Sequence, residues 1–326
     1  MRFREAFTLP KIDLHCHLDG SISLDCLEFL LGRDISLLEV EVDDKCDGLK
    51  TYLEKFNLPV SAIQTEDALR AAAFDVIRQA ANENIRYIEI RFAPLLSINK
   101  RLTADQVLDA VIVGAREGSS RYGVRFQIIV CLMRQHSLAD NISLLYTAKK
   151  YLGRSVCAID LAGDEVAYPM SEFKDLFYEA KRMGIPFTIH AGECGSVENI
   201  VDAINFGAVR IGHGTALKGH QKEIDLCRDH GIGIEMCPVS STQTKAVISK
   251  SENPLREFLD SGLLVTINTN NRTVSDTRMT KEIMRVQSEC GITDKEIIQL
   301  QKNAVEISFA PEILKEELRK IYADLS

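Results

Sequence analysis

Apolar residues fall along this chain in two alternating rhythms. Short runs dense in Ile, Val and Leu predict strands, and the stretches between them, where apolar positions return every three or four residues, predict helices. Eight strands are read this way: KIDLHCH from residue 11, IRYIEIRFAP (85–94), VRFQIIVCLM (124–133), VCAIDLAGDE (156–165), IPFTIHAGE (185–193), AVRIGHGT (208–215), IGIEMCPVSS (232–241) and LLVTINTNN (263–271). Ser21 or Ser23 can cap a helix through Leu24, Leu27, Phe29 and Leu30, and the TED at 65–67 starts a long helix to about residue 84. Further helices are expected over 103–121, 138–151, 171–183, 196–206, 219–230 and 254–261, and two or three more close the chain. Residues 33–45 read as acidic and irregular, followed by a short amphipathic helix, LKTYLEKF (49–56), whose Leu49, Tyr52, Leu53 and Phe56 share one face. On pattern alone, such a stripe is packed core.

Strands separated by a helix are expected to run parallel with right-handed crossovers. Eight of them in 326 residues predict one (β/α)8 TIM barrel over residues 1–326, with extra C-terminal helices. A doubly wound open sheet is the alternative, but the GxGxxG turn that usually accompanies it is absent. In a barrel the reactive residues come from the C-terminal ends of the strands, where His15, His17, His190, Glu193 and His213 all fall. His15 and His17 are two apart, so on a strand both imidazoles project from the same face. With His190 they offer a metal three nitrogens and leave open positions, the layout of a catalytic site. Glu193, beyond the strand end, could give or take a proton, and His213 could orient or deprotonate the attacking water.

Composition narrows the partners. A net charge of −8 argues against general attraction to nucleic acid and fits a neutral or cationic small substrate. No apolar run approaches the roughly 18 residues of a membrane span, and MRFREAFTLP lacks the apolar core of a signal peptide, so a cytoplasmic protein is expected. Nine scattered cysteines with no CxxC fit neither a disulfide framework nor a thiolate metal site, and are expected as buried small hydrophobes.

KIDLHCHLDGS, LAGDE (161–165), IHAGE (189–193), IGHGT (211–215), CPVSS (237–241) and INTNN (267–271) together resemble, in order and over essentially the whole chain, the adenosine deaminase family. The resemblance implies a metal-dependent amidohydrolase barrel with one zinc per chain. The implied reaction is hydrolysis of adenosine or 2′-deoxyadenosine to inosine or 2′-deoxyinosine plus ammonia. It makes His15, His17 and His190 zinc ligands, Glu193 the proton donor to purine N1, and His213 the residue that positions the attacking water. Asp19 would meet the ribose and the backbone of Gly163 the purine N3. It also moves the stripe Leu49, Tyr52, Leu53 and Phe56 from packed core to the pocket mouth.

One position departs from the family. Asn270 stands where the family carries an Asp that ligates zinc and holds the attacking water, and only a weak amide oxygen remains there. Weaker zinc binding and a poorly oriented nucleophile are expected. Asn271, next to it, can still present an amide N–H to purine N7. Three alternatives follow: a deaminase of a modified purine nucleoside (an N6-substituted adenine or aminodeoxyfutalosine), a catalytically silent purine-nucleoside binding protein, and a binuclear metal hydrolase. The last wants a bridging lysine at the end of strand four, where IDLAGDE has none. Asp19 speaks for a neutral ribose over a 5′-phosphate, because a carboxylate repels phosphate. Nucleic-acid editing is not expected, since the HxE and PCxxC signature is missing.

Overall fold

The computed structural model describes residues 1–43, 46–194, 196–249, 252–323 and 325. Asp44 and Lys45, at the end of the stretch expected to be irregular, lie outside the described residues. Among the described residues eight strands form: β1 (Lys11–His17), β2 (Ile85–Phe92), β3 (Arg125–Met133), β4 (Val156–Ala162), β5 (Thr188–Ala191), β6 (Arg210–His213), β7 (Gly233–Met236) and β8 (Leu264–Ile267). They pair in parallel and in sequence from β1 to β4 and from β5 to β8. Two bridges join the halves, Ile159 to Phe187 and Cys16 to Asn270, so the sheet closes on itself as a (β/α)8 barrel. At the second seam His17 N–H donates to the Asn270 carbonyl and Asn270 N–H to the His15 carbonyl, both at 2.7 Å.

Alternation along the strands sorts the side chains into two environments. Ile88, Ile90 and Phe92 of β2, Ile159 and Leu161 of β4, Ile189 of β5 and Ile211 of β6 face the surrounding helices and build the main apolar core. The positions between them carry Glu89, Arg91, Asp160, Thr188, His190 and Arg210, all buried, with Asp13 and His15 from β1 and Glu235 from β7. The lumen is therefore filled by charged and polar groups that pair across it. Phe309 N–H donates to Glu89 Oε1 at 2.6 Å, and the guanidinium of Arg210 lies 4.0 Å from the Phe309 ring centroid, so the C-terminal segment packs against these lumen charges.

Several boundaries move. Ser23 and Thr65 cap their helices as expected, but β5 to β8 are only four residues long because the chain leaves the ladder as soon as the barrel rim is reached. The run expected as strand through 241 turns at Pro238 into the helix Pro238–Gln243, since proline suits a first helical turn and cannot donate to a ladder. Helices Phe3–Thr8, Leu37–Val40 and Asn57–Ala62 were not legible; the second carries a capping box from Ser36 and Glu39. Three helices, Met279–Cys290, Asp294–Ile307 and Glu312–Ala323, close the chain. All nine cysteines are unpaired, and six of them are buried. Among the described residues no helix is long and apolar enough to cross a membrane.

Helices Glu66–Asn82 and Ala104–Tyr122 pack tightly around Gly114, where an added Cβ would lie 2.0 Å from the carbonyl oxygen of Arg70. Gly114→Ala should therefore destabilise the protein by about 1–3 kcal/mol through overpacking, despite alanine's better helix propensity. Urea unfolding checks this, and an unchanged or raised midpoint would contradict the packing described.

Candidate active site

Four histidines meet where β1, β5 and β6 reach the rim. Ring centroids lie 5.2 Å apart for His15 and His17, 4.6 Å for His15 and His190, and 4.9 Å for His15 and His213. Ligand nitrogens of His15, His190 and His213 all fall within 4.8 Å of one another, and His17 Nε2 is 3.2 Å from His190 Nε2. Burial, reinforced by Arg91 and the neighbouring imidazoles, holds His15 well below its ordinary pKa; burial also lowers His17 and His213. These three are neutral near pH 7, the form that ligates a metal.

Beneath them lies a layer that strand patterning did not single out as part of the site. His15 Nδ1 is 2.8 Å from Glu235 Oε2, and His190 Nδ1 is 2.8 Å from Asp160 Oδ2. Arg91 spans both carboxylates, with Nη2 2.6 Å from that same Glu235 oxygen and Nη1 3.0 Å from that same Asp160 oxygen. Burial works against charge on Glu235, but Arg210 and Arg91 outweigh it and hold its pKa at about 2. Burial opposes Asp160 as well, and His190 and Arg91 keep it ionised. An ionised oxygen can only accept, so neutral His15 must carry its hydrogen on Nδ1 toward Glu235 and keep the Nε2 lone pair free, while Asp160 sets the place of the His190 ring from below.

The donor set fits a cation. Nε2 of His15 and Oδ1 of Asn270 are buried acceptors without a hydrogen-bond partner. Leaving such a group unsatisfied costs about 1–3 kcal/mol, a cost that a bound metal ion removes. Metal–nitrogen bonds of about 2.0–2.1 Å in a tetrahedron set ligand nitrogens about 3.3–3.4 Å apart, close to the His17 to His190 separation. Asn270 sits at φ 58° and His213 at φ 67°, left-handed conformations that Asn and His tolerate better than most residues. Both lie at turns that re-aim a side chain as its strand ends.

A cavity of about 360 Å³ opens above this cluster. His17, Asp19, Gly163, His190, Glu193, His213, Asn270 and Asn271 line it, so the residues singled out in the sequence converge there, with His15 buried below. Leu49, Tyr52, Leu53 and Phe56 line it too, at the cavity where the family resemblance put them and not only in packed core as the pattern alone had it; the helix Leu49–Glu54 borders the cavity. Tyr52 does both, since it is buried and its OH accepts from Asn271 Nδ2 at 2.9 Å. One amide hydrogen of Asn271 is thus already engaged, and its Oδ1 packs so closely on Gly20 that a Cβ there would lie 1.9 Å away. Glu193 Oε2 is 3.6 Å from His213 Nε2. Burial, helped by Glu165 and opposed by His190 and Thr244, pushes the Glu193 pKa up to about 7. Asp19 is raised to about 6, again by burial.

A family model described as adenosine deaminase matches residues 10–324. This chain belongs to the adenosine deaminase family. Adenosine deaminase of Enterococcus faecalis is 40% identical over 310 residues, covering 92% of each chain. That of Clostridium kluyveri is 38% identical over 327 residues, covering 97% of this chain and 93% of its own. Among solved structures, adenine deaminase from Arthrobacter aurescens superimposes with a TM-score of 0.89 at 21% identity, over 97% of this chain and 99% of its own. A zinc-bound amidohydrolase from Burkholderia ambifaria gives 0.89 at 20% identity, over 98% and 91%. These structural likenesses establish the shared barrel.

Within this adenosine deaminase family member, the missed residues Glu235, Asp160 and Arg91 had one readable signal. Each is a charge at an alternating position inside an apolar strand run, where only a partner across the lumen makes burial tolerable. Glu193 supplies a testable consequence. Its folded pKa near 7 lies above the ordinary 4.5, so the folded chain holds this proton more tightly than the unfolded one. The stability it contributes is complete below pH 4.5 and is lost as pH climbs through about 7. Urea unfolding of metal-stripped protein between about pH 5 and 8 should show this decline, and Glu193→Gln should remove it. Equal pH slopes for the two proteins would contradict a buried, raised carboxyl.

Proposed function

We propose that this chain hydrolyses adenosine and 2′-deoxyadenosine to inosine and 2′-deoxyinosine with release of ammonia, using one zinc ion. The reading takes residues 1–326 as one catalytic barrel domain. The observation that carries it is the meeting of orphaned acceptors, His15 Nε2 and Asn270 Oδ1, with the close His17 and His190 nitrogens at the floor of a cavity that also holds a protonatable Glu193. His15, His17 and His190 would hold the metal, with Asn270 as a weak fourth ligand. Zinc bound there would supply the Lewis acidity that makes water nucleophilic near neutral pH.

The chain's own groups do the rest. Glu193, about half protonated near pH 7, can donate to purine N1 as C6 is attacked. His213, buried and neutral, sets Nε2 3.6 Å from Glu193 Oε2, which supports a role with the attacking water beside that carboxyl. Asp19 would accept from a ribose hydroxyl, the Gly163 backbone would meet N3, and the second amide hydrogen of Asn271 is free for N7. Leu49, Tyr52, Leu53 and Phe56 would cover the base and exclude water. No Lys or Arg occurs among the described residues lining the cavity, which supports a nucleoside over a 5′-phosphate. The nine unpaired thiols support a reducing cytoplasmic setting.

The amide at 270 favours a second reading, a purine-nucleoside binding protein with little turnover. Ammonia release from adenosine, measured with metal content on this chain and on Asn270→Asp, separates the two. Restoring the carboxylate should raise the rate about a hundredfold or more, since a preorganised polar partner of the nucleophile is regained. Equal rates in both forms would contradict the weight placed on residue 270. Zinc-loaded protein in which neither form releases ammonia would sink adenosine as the substrate and turn attention to a modified purine nucleoside.

A further inference from the structure

Asn270 is held on both sides by the backbone of β1, between His15 and His17, so its side chain has little room to choose a direction. An amide, unlike a carboxylate, has two different ends. If its NH2 faced the histidines it would present hydrogens to a cation and ligate nothing. The structure turns it the other way. Nδ2 donates to Ser240 Oγ at 2.9 Å, and Oδ1 is left buried and without a partner. Ser240 in turn donates its own hydrogen to the Cys237 carbonyl at 3.2 Å, so the oxygen it offers Asn270 is an acceptor. An acceptor at that place attracts the NH2 end and repels the oxygen end.

We propose that Ser240 is a positioning residue that fixes the amide of Asn270 with its oxygen toward the metal. It sits on the helix Pro238–Gln243 that leaves β7, a rigid element anchored by Thr244 N–H on the Ser240 carbonyl at 2.8 Å. A neutral residue at 270 keeps a ligand atom only because this hydroxyl holds the other end. An Asp at 270 has no such need. Its two oxygens are equivalent, and either rotamer presents one of them. Ser240 would then turn its hydrogen toward the carboxylate, while the Cys237 carbonyl keeps Ser241 Oγ at 2.9 Å. The proposal rests on the reading of residue 270 as a metal-facing group.

The test uses zinc alone, titrated into the metal-stripped 326-residue chain against a chromophoric chelator. Four proteins are compared: the chain as it stands, Ser240→Ala, Asn270→Asp, and the variant carrying both substitutions. Ser240→Ala should weaken zinc about tenfold when residue 270 is Asn, the low end of what outer-shell partners contribute, and several times less when it is Asp. A merely structural serine would cost the same in both backgrounds, and equal losses, or no loss with Asn at 270, overturn the proposal. If Asn270→Asp with Ser240 intact fails to tighten zinc at all, residue 270 does not face the metal, and the proposal falls with that part of the functional reading. Because zinc affinity is read without substrate, failure of adenosine as substrate leaves the result intact.

Discussion

Arg91 is the constraint on which the site depends. It lies fully buried in the barrel lumen, where an unpaired guanidinium would be untenable, and it is made tolerable by two carboxylates that each turn the same oxygen to a histidine. The resulting chain, His15 to Glu235 to Arg91 to Asp160 to His190, crosses the barrel from β1 through β7, β2 and β4 to β5. It ties the placement of two imidazoles to one rigid fork. Burial would drive each carboxylate to neutralise, yet Arg210 and Arg91 keep Glu235 ionised and His190 and Arg91 keep Asp160 so, and an ionised Glu235 obliges His15 to turn its Nε2 lone pair toward the cluster.

The network does not end at the histidines. Arg210 pairs with Glu235 and with Glu89, and Glu89 accepts from Tyr87 OH and from the Phe309 backbone. Charges in the lumen thus run from the cavity to the junction of the last two helices and anchor it against the barrel floor. The segment between Asp294–Ile307 and Glu312–Ala323 supplies the Phe309 N–H that Glu89 accepts, and the end of the first of these helices supplies the Ile307 carbonyl that Arg210 meets at 3.1 Å.

Much of this was legible in the sequence, for identifiable reasons. Eight apolar runs separated by amphipathic stretches announce a barrel because parallel strands need helical crossovers, and HxH at a strand end announces convergent imidazoles because side chains alternate. What stayed hidden depends on closure. That Asp160 backs His190 and Glu235 backs His15 follows from which strands face each other across the lumen, and no local pattern encodes it. The short helix Asn57–Ala62 gives too few residues for periodicity to show, and the helical turn at Pro238 was masked by the apolar run it follows, although proline itself marks a first helical turn. The stripe from Leu49 to Phe56 shows the limit of periodicity most clearly: the same spacing serves a core and a cavity wall, and only the placement of the helix over the histidines separates the two.

Asn270 gathers these threads, since it closes the barrel seam through its backbone, adopts a left-handed turn, and carries an amide whose oxygen is buried without a partner beside the cluster. The account stands or falls on whether the cluster binds a metal through the atoms named. X-ray anomalous scattering at the zinc edge from crystals grown with zinc would decide this most directly. A single peak within bonding distance of His15 Nε2, His17 Nε2, His190 Nε2 and Asn270 Oδ1 is the result expected. A peak bound by His213 in place of His17, or none in the cavity, would contradict it.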